Sequence, residues 1–202
     1  MKINNPGLIN LYEAVKIRDA AYQFIMDYKL TYPLKSVKLA LRFANVCDYE
    51  YFVDHPPAAF NTDHLTVHQL RSRYGNGLVC KNGSCYLIAF DPLIPPSYIH
   101  WTLVHELSHI VLHHLYTDRI LHAIPDNQFE MAADIFTLYV TCPDILLQKT
   151  GYTKSDQIAT TFHIPHVKVK SYSDYLIFPQ MSPLAKTSTY YKAFNYFELI
   201  YK

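Results

Sequence analysis

The sequence predicts an α+β fold that is mostly helical, with a small mixed or antiparallel sheet beside one buried helix. Apolar residues recur at three- and four-residue spacing over several long segments, which is typical of helices that pack on a core. Two short runs rich in β-forming residues, 78–80 and 86–90, flank an Asn-Gly dipeptide and predict a hairpin. The most apolar helix follows shortly after this hairpin.

Two helices are predicted ahead of the sheet. Apolar side chains recur from residue 8 to residue 29, and Tyr32-Pro33 ends this first amphipathic helix. Residues 34–44 predict a second helix. Residues 46–74 alternate poorly between apolar and polar types, and Tyr49, Tyr51, Phe52 and Phe60 are interpreted as strand-like material between turn signals.

The four cysteines do not form a zinc-knuckle pattern. Cys80 and Cys85 flank the predicted Asn82-Gly83 turn, and that register would place them opposite each other on adjacent strands. A cross-strand disulfide is conceivable, but a reduced pair is expected in the cytosol.

The strongest chemical signal is the pattern HExxH at residues 105–109, on a helix predicted to begin after Pro95 and to reach about Tyr116. His105 and His109 are four residues apart, so they lie on one face of the helix and can bind one zinc ion together. Glu106 is placed to take a proton from a water molecule at that ion.

A second apolar helix is predicted downstream, over residues 129–140. Its two acidic side chains, Glu130 and Asp134, again share one face. A two-histidine zinc site needs a carboxylate ligand from a second helix, and it gains from a further carboxylate that accepts the remaining N–H of a ligand histidine. Glu130 and Asp134 are predicted to take those two roles, in that order.

The C-terminal part is predicted to be helical. Residues 145–147 suggest a short helix, and residues 153–165, followed by apolar-spaced residues up to 176, resemble a helix-turn-helix. The net charge of +1 and the few lysines of this region argue against direct nucleic-acid binding. The aromatic tail from Tyr190 to Tyr201 is expected to be a helix packed on the body.

A longer pattern resembles that of the ImmA/IrrE family of zinc metallopeptidases over about residues 78–143. It runs Thr102-x-x-His105-Glu106-x-x-His109-x-x-x-His113, then Glu130-x-x-Ala133-Asp134-x-Phe136, and closes on Pro143. The sequence departs from the family at Ser108, where glycine is usual, and at Thr137, where alanine is usual. Both changes are between small residues and concern packing rather than the metal.

The resemblance implies a zincin-like metallopeptidase domain at residues 1–150 and a C-terminal helical extension at 151–202. It implies one Zn²⁺ per chain, held by His105, His109 and Glu130, with Glu106 as the general base. The implied substrate is a helix-turn-helix transcriptional repressor, whose cleavage derepresses a mobile element or stress genes in bacteria or phages. Substrate could add as an extended strand to the strand at 85–90, in the manner of β-augmentation.

Several roles stay open at this stage. His113 could be an outer-sphere donor, an alternative ligand or a polar residue at the helix end, whereas His114 is expected to be solvated. His100 or His122 could polarise the substrate carbonyl, and the i, i+4 pair His64 and His68 is a weak candidate for another metal site.

Two functions other than proteolysis are also open. The chain could be a zinc-containing binding module that sequesters the repressor or pairs with a toxin or antitoxin, or its C-terminal region could contact DNA. No segment reaches the roughly 18 apolar residues of a membrane helix, and no export signal opens the sequence, so a cytoplasmic protein is expected.

Overall fold

The computed structural model describes residues 9–57, 65–115, 127–171 and 186–201. Within these ranges the chain forms ten helices and three strands, in this order: α1 (Leu11–Asp27), α2 (Ser36–Ala40), β1 (Asn45–Asp48), α3 (Tyr49–Asp54), α4 (Val67–Tyr74), β2 (Gly77–Asn82), β3 (Cys85–Phe90), α5 (Pro96–Val111), α6 (Asn127–Thr141), α7 (Asp144–Thr150), α8 (Ser155–Phe162), α9 (His166–Ser171) and α10 (Ser188–Ile200).

The predicted fold class is confirmed at the level of an α+β protein with a small sheet. The three strands lie in the order β1-β3-β2, with β1 parallel and β2 antiparallel to β3, so the sheet is mixed. None of the helices that the structure describes is both long and apolar enough to cross a membrane.

The chain divides into two compact units. One unit is Lys35–Phe129, and the other combines Met1–Leu34 with Glu130–Lys202. The first unit contains the whole sheet and α5. The division of the chain at residue 150 stays a prediction.

In the unit 35–129 the sheet is covered on both faces. One face packs against α3 and α4 through a cluster of buried side chains: Tyr49, Phe52, Leu70, Leu78, Cys80, Leu87 and Ala89. Val79 and Ile88 are paired across the hairpin on the opposite face, which α5 covers, and both are fully buried. Strands that are buried on both faces read as continuous apolar runs, as residues 86–90 do.

Of the two predictions for the segment before the hairpin, the helix over 34–44 is confirmed only in a shorter form, and the strand-like interpretation is wrong. The predicted helix 34–44 is only the short α2, because Arg42 and Phe43 donate to carbonyls three residues back and turn the chain into β1. Tyr49, Tyr51 and Phe52, which were expected to be strand-like, form the helix α3, and Phe60 lies outside the described residues. The Asp48 carboxylate accepts the Tyr51 N–H at 2.7 Å and caps the start of α3, which an aromatic pattern does not reveal.

The hairpin forms as predicted, but its two-residue loop lies one position later in the chain, so each residue of β2 faces a partner two residues beyond the predicted one. Asn82 pairs with Cys85 around the two-residue loop Gly83-Ser84, and Cys80 faces Leu87. Gly83 takes the first loop position with a φ of 61°, a conformation that glycine adopts without cost. Cys80 and Cys85 are therefore not opposite each other, and both thiols are free.

The position of β3 corrects a further prediction. This strand lies in the middle of the sheet and is hydrogen-bonded on both sides, so it offers no edge to an extended substrate. The outer edges of the described sheet belong to β1 and β2.

The second unit confirms the predicted helices at both ends of the chain. Asn10 and Glu13 form a reciprocal capping box that begins α1, and α10 packs on α1 and α7 through Tyr190, Ala193 and Phe197. Helices α8 and α9 pack together across a turn at His163, as in the predicted helix-turn-helix. Residues 172–176 of that prediction lie outside the described residues.

A polar cluster lies inside this unit. The Arg18 guanidinium is fully buried, 5.9 Å from the ring centre of Tyr22 and 5.0 Å from that of Tyr190. The Tyr22 hydroxyl donates to Asp144, the first residue of α7. Burial raises the pKa of Asp144 from its ordinary 3.8 to about 6, although the Tyr22 hydrogen bond and the Arg18 charge act in the opposite direction.

Candidate metal centre

The two histidines of the HExxH pattern converge on one face of α5. Leu103, Val104 and Leu107 are fully buried, so packing within the unit fixes this helix. His109 is buried and His105 is half-buried, and their Nε2 atoms lie 3.2 Å apart. The two ring planes are inclined at 71° to each other, and their centres lie 5.0 Å apart.

Glu130 in the first turn of α6 joins this pair. One candidate ligand atom from each of His105, His109 and Glu130 lies within 4.8 Å of the others. Among the described residues, these three form a group that could hold a metal ion, as the sequence predicted. Glu130 directly follows Phe129, whose ring stacks on that of His114 at 4.6 Å.

The donor set fits a divalent metal of zinc type. In a tetrahedral site with zinc–nitrogen bonds of about 2.0 Å, two ligand nitrogens lie about 3.3 Å apart. The separation of 3.2 Å between the histidine nitrogens agrees with this value. Two imidazoles and one carboxylate are also the protein ligands of a common class of catalytic zinc sites, which leave a fourth position open.

Glu106 is buried beside the start of β2. A Cβ atom added to Gly77 would lie 3.3 Å from the Glu106 Oε1 atom and only 2.3 Å from Cγ2 of Thr102. The strand can approach α5 this closely only because residue 77 has no side chain. Gly77 therefore makes room for the Glu106 carboxylate.

Tyr49 shares the electrostatic environment of Glu106. Burial raises the pKa of the Tyr49 hydroxyl well above its usual range, and the negative charge of Glu106 raises it further. The hydroxyl donates a hydrogen bond to the Gly75 carbonyl at 3.2 Å. Tyr49 thus stays neutral at every pH at which the protein is expected to work.

Of the two residues that depart from the ImmA/IrrE pattern, Ser108 has a hydrogen-bond partner for its hydroxyl group, whereas the Thr137 hydroxyl has none among the described residues. Ser108 is fully buried, and its hydroxyl donates to the His105 carbonyl at 2.6 Å. Thr137 is also fully buried in α6.

The end of α5 differs from the prediction, which continued the helix to Tyr116. His113 adopts a left-handed conformation with a φ of 56° and donates to the Ile110 carbonyl at 3.1 Å, while the His114 N–H donates to the His109 carbonyl at 2.9 Å. This pair of bonds is the Schellman motif, which ends helices and folds the second residue after the cap back over the last turn. The motif therefore brings His114, not His113, back to His109.

The side chains follow this backbone. His113 is exposed at the helix end, which agrees with the third of its predicted alternatives. His114 was expected to be solvated, and that prediction is wrong, because the residue is buried with its Nδ1 atom 3.0 Å from Nδ1 of His109.

Four further polar residues were predicted to lie at or near a metal site: Asp134, His100, His122 and His64. Asp134 is buried in α6, and its Oδ2 atom accepts from the Lys168 ammonium of α9 at 2.8 Å. Its role as an acceptor for a ligand histidine stays a prediction. His100 is buried in the first half of α5, whereas His122 and His64 lie outside the described residues. The connection from Asp118 to Gln128 has no clear periodicity, which predicts a loop that could line the cleft; residues 118–126 of it lie outside the described residues, and Asn127 and Gln128 already belong to α6.

Comparisons of this chain with models of protein families and with curated proteins found no match.

Sequence reasoning missed two residues around the site, Gly77 and His114. The signal for Gly77 was its rarity, since the chain has only 5 glycines and this one opens a strand, where glycine often marks a close backbone approach. His114 had no comparable signal, because Schellman motifs usually have glycine at the position that His113 occupies here.

Proposed function

We propose that this protein is a zinc-dependent endopeptidase of the ImmA/IrrE type. The observation that supports this proposal most directly is that His105, His109 and Glu130 lie together, with one possible ligand atom of each within 4.8 Å of the others. Glu106 lies next to the first histidine on the same helix and is buried. Ligands and a carboxylate base in this arrangement support hydrolysis of an amide bond.

The mechanism assigns separate tasks to the ligands and to Glu106. The zinc ion, when bound by His105, His109 and Glu130, would polarise the scissile carbonyl and lower the pKa of a water molecule. Glu106 accepts the proton of the attacking water and then donates it to the leaving amine. The close approach of Gly77 restricts the space around this carboxylate and orients it.

The free edge of β2 is the proposed position of the substrate backbone. In the described sheet, β2 pairs with β3 on one side only, and its first residue lies beside Glu106. An extended peptide could add to this edge through main-chain hydrogen bonds, which bind many sequences with similar strength. Side chains beyond the edge would then have to supply the selectivity.

The proposed substrate is a helix-turn-helix transcriptional repressor, cut between its DNA-binding and C-terminal parts. This choice rests on the family resemblance of residues 78–143. A protease dedicated to one regulator would show little activity on general substrates, so the assay must use the repressor encoded next to this chain.

The Glu106→Gln substitution tests the mechanism. The amide keeps the size of the side chain but cannot accept a proton, so the cleavage rate should fall about 10²- to 10⁴-fold while zinc content and the free energy of unfolding stay close to those of the unsubstituted protein. The measurement is cleavage of the purified repressor, followed by mass spectrometry of the fragments. Full cleavage by Glu106→Gln would contradict the mechanism.

The same assay separates proteolysis from repressor sequestration. A zinc-containing binding module would still relieve repression after Glu106→Ala, because binding needs no proton acceptor. Loss of both derepression and cleavage in Glu106→Ala, with repressor binding retained, is the result expected of the endopeptidase.

A further inference from the structure

The two ring nitrogens of His109 face different partners. Its Nε2 atom lies 3.2 Å from Nε2 of His105, on the side of the candidate ligands. Its Nδ1 atom lies 3.0 Å from Nδ1 of His114. An imidazole that binds a metal through Nε2 carries its proton on Nδ1, and in a buried ring that N–H needs an acceptor.

Backbone structure holds His114 in place. The Schellman motif at the end of α5 fixes the main chain of His114 against His109, five residues earlier. The His114 side chain is 6% exposed and that of His109 is fully buried. Water therefore cannot easily replace His114 as the hydrogen-bond partner of His109.

The face of the His114 ring contacts Phe129, whereas its Nδ1 edge contacts His109. The two rings are stacked, with centres 4.6 Å apart and planes 21° from parallel. Phe129 is the residue before Glu130 in the first turn of α6. A single side chain thus hydrogen-bonds one predicted ligand and packs against the neighbour of another.

We propose that His114 is a positioning residue of the metal centre. Its Nδ1 atom accepts the N–H of His109, which selects the tautomer of His109 that leaves Nε2 free to bind a metal. Its ring, stacked on Phe129, also fixes the start of the helix that carries Glu130. The proposal deepens the proposed function and rests on the metal site that the proposed function requires.

The chemistry of the pair explains why a histidine suits this position. A neutral imidazole accepts one hydrogen bond without adding a negative charge to a buried site, and its flat ring can stack on an aromatic neighbour at the same time. A carboxylate would accept the same hydrogen bond but could not stack.

Three substitutions separate these contributions. His114→Phe keeps the ring on Phe129 and removes the acceptor, whereas His114→Asn keeps an acceptor near the position of Nδ1 and removes the ring. His113→Asn alters the exposed neighbour, at a left-handed position that asparagine tolerates. Each variant is compared with the unsubstituted full-length chain.

The experiment measures zinc affinity by competition with a chromophoric chelator, and the visible spectrum of the cobalt-substituted protein. His114→Phe is expected to bind zinc about 10- to 100-fold more weakly and to change the cobalt spectrum, as expected when the hydrogen-bond partner of a ligand is lost. His114→Asn should recover most of this loss, and His113→Asn should bind zinc like the unsubstituted chain. Urea unfolding of the metal-free proteins identifies a purely structural effect, which would lower stability without changing zinc affinity.

The outcomes are distinct. Tight zinc binding by the unsubstituted chain and equally tight binding by His114→Phe would overturn the role of His114 and leave the metal centre intact. A loss of affinity in His113→Asn but not in His114→Phe would also overturn it. A failure of the unsubstituted chain to bind zinc would refute the endopeptidase together with this role, whereas zinc binding without repressor cleavage would refute the endopeptidase alone.

Discussion

The close approach of β2 to α5 makes Gly77→Ala the most informative single substitution for the fold around the site. The added Cβ would lie 2.3 Å from Cγ2 of Thr102, more than 1 Å inside an ordinary carbon–carbon contact of about 3.5 Å. The Ala89 carbonyl and Glu106 Oε1, both at 3.3 Å, limit the directions in which it can move. Overpacking of this kind costs about 1–3 kcal/mol of the free energy of unfolding.

A double-mutant cycle tests whether the Thr102 methyl group is the cause. Thr102→Ser removes that methyl and alone should cost about 1 kcal/mol, the value of one buried methyl group. If the clash dominates, the double variant Gly77→Ala/Thr102→Ser should be about as stable as Thr102→Ser. The coupling free energy would then be about 1–3 kcal/mol.

Urea unfolding of the metal-free variants, monitored by circular dichroism, provides the four free energies. Gly83→Ala is the matched control, because this loop glycine has open space around it and a φ of 61°. It should cost about 1–2 kcal/mol through its left-handed conformation, with no coupling to Thr102→Ser. Strictly additive costs of Gly77→Ala and Thr102→Ser would refute the steric reasoning.

Three further predictions follow from the metal centre, the buried carboxyl group and the free thiols. Elemental analysis should find one zinc per chain in protein purified without chelator and none in His105→Ala; an equal zinc content in both would place the metal elsewhere. Because the pKa of Asp144 rises from 3.8 to about 6 on folding, its contribution to stability is complete below pH 3.8 and is lost as the pH rises through 6. The free energy of unfolding of the unsubstituted chain should therefore fall by about 2 kcal/mol relative to Asp144→Asn between pH 4 and pH 7, and parallel pH profiles would contradict this. Of the four thiols, the exposed Cys85 should react first with a thiol reagent at pH 8, since burial raises the pKa of Cys47 to about 11, that of Cys80 to about 12 and that of Cys142 well above its usual range. Fast labelling that persists in Cys85→Ser would contradict this order of reactivity.

The features predicted correctly from sequence are those that short-range spacing controls. His105 and His109 are four residues apart, so they share one face of α5, whose length and apolar pattern predict a helix. Glu130 lies on a second helix that the same kind of pattern predicts, and the three residues come together. The hairpin and the turn between α8 and α9 also involve residues that are close together in the sequence. These helices and turns require no knowledge of a distant partner, whereas the assignment of Glu130 as the third ligand rests on the usual ligand set of two-histidine zinc sites.

The features that could not be predicted from the sequence depend on contacts between distant residues, or on a local conformation that the residue type does not favour. The pairing of β1 with β3 joins residues that are 42 positions apart, so no local pattern places β3 in the centre of the sheet. The helix α3 depends on its Asp48 cap, against the β propensity of its aromatic residues. His113 adopts a conformation in which glycine is usual, so the end of α5 and the burial of His114 could not be predicted.

The topology of the sheet also has a consequence for the order in which this unit folds. The hairpin of β2 and β3 closes a loop of two residues, which takes microseconds in isolated hairpins. The first strand must instead find a partner 42 residues further along the chain, after α3, α4 and the hairpin have been synthesised. Closing this larger loop has a higher entropic cost, so β1 should join the sheet last. Until then the edge of β3 that β1 later covers is open, and the nascent chain is at that stage most exposed to pairing with a second molecule.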